Sequence, residues 1–304
     1  MIGRAAERET GPPRMLRTEW LMALKLIMLG DIVGSPGRLA VRQCMDRLQA
    51  QWAPDLIIAN AENSAAGSGL TPDQFEKLTS LGIAGITLGD HAFRKAQIIP
   101  SLEKHPNLIR PANLSSKAKG RGRMSLTVSG SDRPGPRVYV VTLLGRLFNT
   151  ALPCNDPFET IDRVLADLPE ANPTVIVEMH CEATSEKQAM GWYLNGRASA
   201  VLGTHTHIPT ADARLLPAEN GARRRTGYIT DLGMTGPQDS ILGRRIDRVL
   251  THMTTNMPAP FDVAEANPRL NGVYFEVDEN TGSAQHIERI ELAADPSRPP
   301  FTAD

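Results

Sequence analysis

The chain of 304 residues carries 33 basic and 34 acidic side chains, for a net charge of −1, and 41% of its residues are hydrophobic. This profile is typical of a globular protein and argues against a strongly basic nucleic-acid-binding surface. No apolar run approaches the roughly 20 residues that a membrane-spanning helix needs, and the Arg-rich beginning lacks the apolar segment of a secretory signal.

The first elements are predicted in chain order from apolar periodicity. Residues 1–21 are polar, Arg-rich and aperiodic, and they predict a disordered extension, with Met22 as an alternative first residue. Short apolar runs predict strands over residues 24–29, 56–59, 86–88, 138–142, 175–177, 200–202 and 228–230. Helices are predicted over residues 37–51 and 157–167, and a further one begins with Thr71 as N-cap and Pro72 at its first position. This alternation indicates an α/β protein with mixed sheets.

Two hairpins complete the predicted order. The Gly-, Pro- and Arg-rich stretch 115–137 predicts a hairpin with loops. Residues 272–277 and 286–292, joined by a turn at 279–282, predict a closing hairpin. Because no linker-like break interrupts residues 22–293, we predict a single domain there, followed by a Pro-containing tail over residues 294–304.

The three cysteines are odd in number, widely spaced and without a CxxC pair; they are Cys44, Cys154 and Cys181. They predict reduced thiols and therefore a cytoplasmic protein.

Polar side chains with metal-binding capacity follow five of the predicted strands. In chain order they are Asp31, Glu62 with Asn63, Asp90 with His91, His180, and His205 with His207. Ligands of open α/β sheets bind at this carboxyl edge of the strands. Carboxylate oxygens and imidazole nitrogens suit zinc, manganese or iron, and the lack of thiolates disfavours a structural zinc cluster. Eight such groups indicate two metal ions, which at roughly 3.5–4 Å can share a bridging hydroxide and hold a phosphoryl oxygen.

Each of these residues also has an ordinary structural explanation. A lone Asp after a strand is usually a turn or cap residue, and a lone His is usually a buried core residue. Their joint occurrence at five strand ends favours the metal site, whereas His105, His252 and His286 lack this context and are predicted to be surface residues. The glycines in segment 30–38 lack the GxGxxG spacing of a dinucleotide site, so we expect them to let the chain turn tightly around Asp31.

Five ordered segments resemble the YmdB-type metallophosphoesterases, a family within the calcineurin-like phosphoesterase superfamily. They are GDIVGSPGR, AEN, GDH, HCEATSEK and GTHTH, beginning at residues 30, 61, 89, 180 and 203. The resemblance covers the chain from about residue 24 to residue 292. It implies a four-layer α/β/β/α sandwich of two mixed β-sheets flanked by helices, with a dinuclear metal site at one sheet edge.

The resemblance also implies a role for each site residue. Asp31, Glu62, Asn63 and His207 would hold one metal, and Glu62 would bridge to a second metal held by Asp90, His180 and His205. His91 would be the catalytic imidazole beside the scissile phosphate. Iron or manganese is expected, with zinc as an alternative. The expected activity is that of a phosphodiesterase on cyclic nucleotides such as 2′,3′-cAMP, by attack of a metal-activated hydroxide, in a homo-oligomer.

The chain departs from the family pattern at two places beside the site. Asp90 stands where the family commonly has Asn, and Phe93-Arg94 stands where it commonly has Trp-Asp. The Arg-containing insertion 220–226 is predicted to be a solvated loop.

Two rival functions remain open from the residues. The same metal core would serve a phosphomonoesterase or nucleotidase, with Thr184, Ser185 and Arg146 as candidate specificity residues. The other rival is a weakly active, nucleotide-sensing regulatory protein. The predicted partner is a small phosphodiester or nucleotide substrate, with neither a membrane nor stably bound nucleic acid.

Overall fold

The computed structural model describes residues 23–129, 134–149, 152–218 and 224–294. The predicted extension over residues 1–21 lies outside these ranges, as does the predicted tail except for Ala294. That residue is buried and donates its N–H to the carbonyl of Pro268 at 2.9 Å. The packed part of the chain therefore extends one residue into the predicted tail.

The described residues form two sheets, and the first of them has seven strands. They are β1 (Ala23–Leu29), β2 (Leu56–Asn60), β3 (Gly85–Thr87), β4 (Leu108–Ile109), β11 (Gly236–Pro237), β12 (Pro268–Asp278) and β13 (Ala284–Ala293). Their order is β11-β12-β1-β2-β3-β4, with β13 paired to β12. Strands β1 to β4 run parallel, whereas β12 is antiparallel to both β1 and β13. The predicted closing hairpin is confirmed as β12 and β13.

The second sheet has six strands. They are β5 (Arg123–Ser129), β6 (Pro134–Leu144), β7 (Thr174–His180), β8 (Ala200–Thr204), β9 (Arg214–Leu215) and β10 (Gly227–Ile229). Their order is β5-β6-β7-β8-β10-β9, with β6, β7, β8 and β10 parallel and the two outer strands antiparallel. The predicted hairpin of residues 115–137 is the antiparallel pair β5 and β6.

Six α-helices lie along the described chain. They are α1 (Gly34–Trp52), α2 (Pro72–Ser80), α3 (Ile99–Lys104), α4 (Pro157–Ala166), α5 (Thr184–Tyr193) and α6 (Ile246–Thr255). The predicted start of α2 is confirmed, because Thr71 and Gln74 form a reciprocal capping box and Pro72 follows the cap. Periodicity did not predict α3, α5 and α6. In α5 the reason is that polar residues, Glu186 and Lys187, occupy buried positions that normally hold apolar residues.

Alternating side chains of β1 show how the layers form. Leu26 and Met28 pack between the two sheets, together with Val140 and Ile176 of the second sheet. Ile27 and its neighbours face the opposite way, against α1, α2 and α3. The outer face of the second sheet is covered by α4 and α5 in the same manner. The predicted four-layer α/β/β/α sandwich is therefore confirmed, because a strand period of two gives each sheet two apolar faces to bury.

Two smaller expectations have definite outcomes. In the insertion 220–226, Arg224 is half-buried and donates to the carbonyl of Pro173 at 2.8 Å, so this part is not a solvated loop; residues 220–223 lie outside the described ranges. Of the histidines predicted at the surface, His252 and His286 are exposed, and His105 is half-buried against Phe75. Within the described ranges no helix combines the length and apolar character needed to cross a membrane.

Candidate metal centre

The polar residues predicted from the strand ends converge at one edge of the sandwich. Glu62 and Asp90 follow β2 and β3 of the first sheet, and His180 and His205 lie at the ends of β7 and β8 of the second sheet. One ligand atom from each of these four lies within 4.8 Å of the other three. The two sheets therefore each contribute one half of the cluster.

The distances within this cluster suit a shared cation. His180 Nε2 lies 3.0 Å from Glu62 Oε1, 3.1 Å from Asp90 Oδ1 and 3.1 Å from His205 Nδ1. Ligands about 2.0–2.2 Å from one metal ion are separated from each other by roughly 3.0–3.5 Å in tetrahedral or octahedral geometry. The donor atoms of Glu62, Asp90 and His205 thus each lie at the distance from His180 Nε2 that separates two ligands of one ion.

The carboxylates of the cluster also favour a positive charge at this position. Burial disfavours a charged imidazole, yet the carboxylates of Glu62, Asp90 and Asp31 outweigh this effect and hold the pKa of His180 well above its ordinary value. Burial would likewise raise the pKa of Asp90, but its hydrogen bonds with His180 and His205 hold that pKa far below its usual range. A metal cation at this position would supply the positive charge that these carboxylates favour.

A second group of predicted ligands lies beside the first. Glu62 Oε1 is 3.5 Å from Asn63 Nδ2, and this amide nitrogen is 3.2 Å from His207 Nε2. Asp31 is fully buried; its Oδ2 accepts the N–H of His205, while its Oδ1 has no hydrogen-bond partner. An unpartnered buried carboxylate oxygen is costly, and a cation would offset that cost. Glu62 stands between the two groups, as a bridging ligand would.

His91 borders both groups and keeps contact with solvent. Its backbone N–H donates to Glu62 Oε2 at 2.9 Å, and its Nδ1 lies 2.9 Å from Asn63 Oδ1. Its Nε2 lies 3.7 Å from Asp90 Oδ2, and a quarter of its side chain is exposed. The imidazole is therefore held at the cluster on one side and open on the other.

Behind the ligands, hydrogen bonds fix which nitrogen of His180 faces the cluster. Its Nδ1 lies 2.9 Å from Thr204 Oγ1, and that hydroxyl donates to Glu178 Oε1 at 2.7 Å. Because the hydroxyl proton is given to Glu178, Thr204 can accept from Nδ1–H, which leaves the Nε2 lone pair for a metal ion. Burial raises the pKa of Glu178, although Asn60 and Thr204 both donate to it.

A second buried network supports the segment after β8. His205 and His207 both have a positive backbone φ, at 91° and 65°, which residues other than glycine rarely adopt. Between them, Thr206 donates both its N–H and its hydroxyl to Asp231 Oδ2, at 3.2 and 2.7 Å. Asp231 is in turn paired with Lys187 of α5 at 2.6 Å, and both are fully buried. This buried pair holds the two histidines in their unusual backbone conformation.

Close packing explains the first glycine of segment 30–38. A Cβ on Gly30 would lie 1.8 Å from the carbonyl oxygen of Gly233, so only glycine fits immediately before Asp31. Gly30 thus permits a close approach of two backbone segments, whereas the predicted tight turn around Asp31 stays a prediction.

Sequence reasoning missed Glu178, Thr204, Asp231 and Lys187 as parts of the site. A signal existed for Glu178, because it is a charged residue inside a buried strand and shares a face with His180 two residues later. Of the predicted specificity residues, Thr184 and Ser185 begin α5, and Arg146 pairs with Asp156 at 3.0 Å; their role stays a prediction.

A cavity of about 150 Å³ opens directly onto the cluster. It is lined by Asp90, His180 and His205 together with Leu144, Gly145, Phe148, Asn149, Cys181 and Glu182. The arrangement provides space for a small ligand in contact with the candidate metal-binding atoms.

Known proteins resemble this chain over nearly its whole length. The family model described as YmdB-like protein matches residues 27–290. A Bacillus subtilis (strain 168) protein named 2′,3′-cyclic-nucleotide 2′-phosphodiesterase is 41% identical over 267 residues, which cover 88% of this chain and 96% of that protein. A crystal structure described as a novel phosphatase of Mycoplasma pneumoniae has a TM-score of 0.81 at 30% identity, covering 91% of this chain and 96% of the other. One of a hypothetical protein from Thermus thermophilus has a TM-score of 0.78 at 35% identity, covering 89% and 100%.

Proposed function

This chain belongs to the YmdB-like protein family, and from that membership we propose that it is a metal-dependent phosphodiesterase acting on 2′,3′-cyclic nucleotides. The observation that carries the proposal is the cluster of Glu62, Asp90, His180 and His205 at the base of a cavity. A relative that is 41% identical bears the name of this activity. A similar fold does not by itself identify the reaction, because the residues of the site determine which substrate reacts.

We propose that two metal ions are held here, iron or manganese by preference and zinc as the alternative. Asp31, Glu62, Asn63 and His207 would hold one, and Glu62, Asp90, His180 and His205 the other. When bound, such ions neutralise charge on phosphate oxygens and lower the pKa of a water molecule. The unpartnered oxygen of Asp31 and the ligand-like spacing around His180 support this assignment.

We infer that the orientation of the Asn63 amide decides which nitrogen of His91 carries a proton. As placed, Asn63 Oδ1 accepts from His91 Nδ1, and Nδ2 faces His207 Nε2. A half-turn of this amide exchanges its two ends, so that Oδ1 faces His207 as a metal ligand must. Nδ2 then donates to His91 Nδ1, and His91 carries its proton on Nε2. We propose that this Nε2–H donates a hydrogen bond to the departing sugar oxygen, which takes its proton from water. A donor aimed at developing negative charge in this way typically contributes roughly 10²–10³-fold.

The test is a substrate panel with purified protein loaded separately with manganese, iron or zinc. We expect conversion of adenosine 2′,3′-cyclic phosphate to the 3′-phosphate, with little release of inorganic phosphate. His180→Ala should abolish turnover, while His252→Ala, an equivalent change at an exposed histidine, should retain it. Rapid release of inorganic phosphate from nucleoside monophosphates would favour the phosphomonoesterase. Tight nucleotide binding without turnover under all three metals would favour the sensor.

Two further proposals concern the protein in the cell. The three cysteines are free thiols, which supports a reducing cytoplasmic location. The homo-oligomer implied by the family resemblance stays a prediction, which sedimentation of the metal-loaded protein can test.

A further inference from the structure

An exposed aromatic residue stands at the cavity beside the candidate metal centre. Phe148 lines the same cavity as Asp90, His180 and His205, yet 79% of its surface is exposed. The ring is thus open to solvent beside the candidate metal-binding atoms, where the apolar part of a bound ligand would remove its surface from water. Phe148 is therefore placed to contact a ligand that enters from solvent.

The backbone of this residue is held in a costly conformation. The φ of Phe148 is 61°, in the left-handed region that bulky residues seldom occupy. Such a conformation persists only where the surroundings enforce it. The backbone conformation of Phe148 is therefore unfavourable by itself, and contacts elsewhere in the loop must stabilise it.

The enforcing contacts come from the buried side of the loop. Glu186 of α5 accepts the N–H of Arg146 at 2.8 Å and the N–H of Leu147 at 3.2 Å. Gly145 lies so close that a Cβ there would be 2.4 Å from Glu186 Oε2. Asn149, on the far side of Phe148, donates to the carbonyl of Gly145 at 3.0 Å. Hydrogen bonds therefore hold the loop both before and after Phe148, while the ring itself stays exposed.

The size of the cavity indicates which part of a nucleotide meets this ring. At about 150 Å³ the cavity is smaller than the roughly 300–1,000 Å³ that enclose a drug-sized ligand. A nucleotide whose phosphate reaches the metal-binding atoms must therefore leave its base near the mouth. Aromatic side chains stack on any base, because every base has a π-face.

We propose that Phe148 is the base-stacking residue of this site and gives the enzyme its preference for nucleoside cyclic phosphates over cyclic phosphates without a base. The inference rests on the proposed function, since it assumes that the phosphate binds at the metal centre. It adds a substrate feature that the metal ligands cannot provide, because they contact only the phosphate.

The test compares two substrates with three variants of the metal-loaded protein. The substrates are adenosine 2′,3′-cyclic phosphate and glycerol 1,2-cyclic phosphate, which share the cyclic diester and differ in the base. The variants are Phe148→Ala, Phe148→Trp and the control Leu147→Ala, which shortens the neighbouring, half-exposed side chain of the same loop. Phe148→Ala should lower the preference for the nucleoside substrate about 10-fold, mainly through KM, within the roughly 5- to 150-fold that base stacking supplies. Phe148→Trp and Leu147→Ala should retain the preference.

Direct binding separates this inference from the proposed function. Titration calorimetry with adenosine 3′-phosphate needs no turnover, and Phe148→Ala should raise the Kd by a similar factor. If the unaltered protein hydrolyses neither substrate, the proposed function fails, and this binding measurement alone still decides the role of Phe148. An equal loss on both substrates would make Phe148 a support of the metal centre. If Phe148→Ala changes the molar mass of the protein in solution and leaves the substrate preference unchanged, Phe148 is a contact between copies of this chain. Either of these two results overturns the proposal.

Discussion

Among the single residues of the site, Asp90 is the one whose charge differs from the common family pattern. Its carboxylate contacts His180 at 3.1 Å and His205 at 3.5 Å, where the family pattern commonly provides a neutral Asn. An aspartate adds one negative charge to the same position and strengthens attraction for a dication. The same charge would make a metal ion held there a weaker Lewis acid.

We predict that Asp90→Asn weakens retention of the second metal and moves the acidic limb of the pH–rate profile to lower pH. The direction follows because removing a negative charge near the metal makes water at the site easier to deprotonate. Chelator competition and pH–rate profiles at saturating metal measure the two effects. Asp73→Asn, the same change at an exposed residue of α2, is the control. If the metal affinity and the acidic limb of the pH–rate profile are both unchanged in Asp90→Asn, Asp90 is not a metal ligand.

His91→Ala tests a different role, because His91 borders the cluster without belonging to its four closely spaced ligands. We predict that the variant keeps its metal content and loses roughly 10²–10³-fold in turnover of substrates with poor leaving groups, because the departing oxygen loses a hydrogen-bond donor. His286→Ala, at an exposed histidine far along the chain, should behave like the unaltered protein. Loss of metal together with activity would show that His91 is a ligand or a structural residue.

At the scale of elements, the segment after β8 depends on α5. The buried pair of Lys187 and Asp231 joins α5 to the turn that carries His205 and His207. Removing one partner of a buried ion pair leaves the other charge uncompensated and typically costs about 3–5 kcal/mol. The buried polar residues of α5 break its apolar periodicity, and they are therefore also the residues that attach this helix to the site.

We predict that Asp231→Asn lowers the free energy of unfolding by several kcal/mol, on the order of the cost of breaking a buried pair, and also weakens metal retention. The second effect follows because Thr206 loses its carboxylate acceptor and no longer fixes the two histidines. Urea unfolding and chelator competition measure these quantities. Asp162→Asn, which breaks the exposed pair with Arg197, is the matched control and should change neither. Loss of stability with unaltered metal affinity would confine Asp231 to a structural role.

At the scale of the whole molecule, the metal centre bridges the two sheets. Glu62 and Asp90 come from the first sheet, and His180 and His205 from the second. Metal ions bound there would therefore hold the halves of the sandwich together at one edge. A ligand that binds only the folded state raises stability in proportion to the logarithm of its concentration over its Kd.

We predict two tightly bound metal ions per chain and a melting temperature that rises with metal and falls with chelator. Saturation at 100 times the Kd would add about 2.7 kcal/mol for each site. Elemental analysis and thermal unfolding measure both, and a variant combining His180→Ala with His207→Ala should lose the metal-dependent part of the melting temperature. At most one bound ion after reconstitution with iron, manganese and zinc in turn would contradict the dinuclear assignment.

What the sequence determined by itself was local. Short apolar runs predicted strands, and the polar residues that follow five of them predicted the polar edge: Asp31, Glu62, Asp90, His180 and His205. Both predictions were possible because strand formation and the order of residues along a chain depend on near neighbours. The start of α2, with Thr71 as N-cap and Pro72 at its first position, was predictable for the same reason. The tertiary structure alone decided which polar groups meet. Asn60 reaches Glu178 across 118 positions of sequence, and Lys187 finds Asp231 across 44. Such partners are chosen by the packing of one sheet's apolar face on the other, which no local pattern specifies.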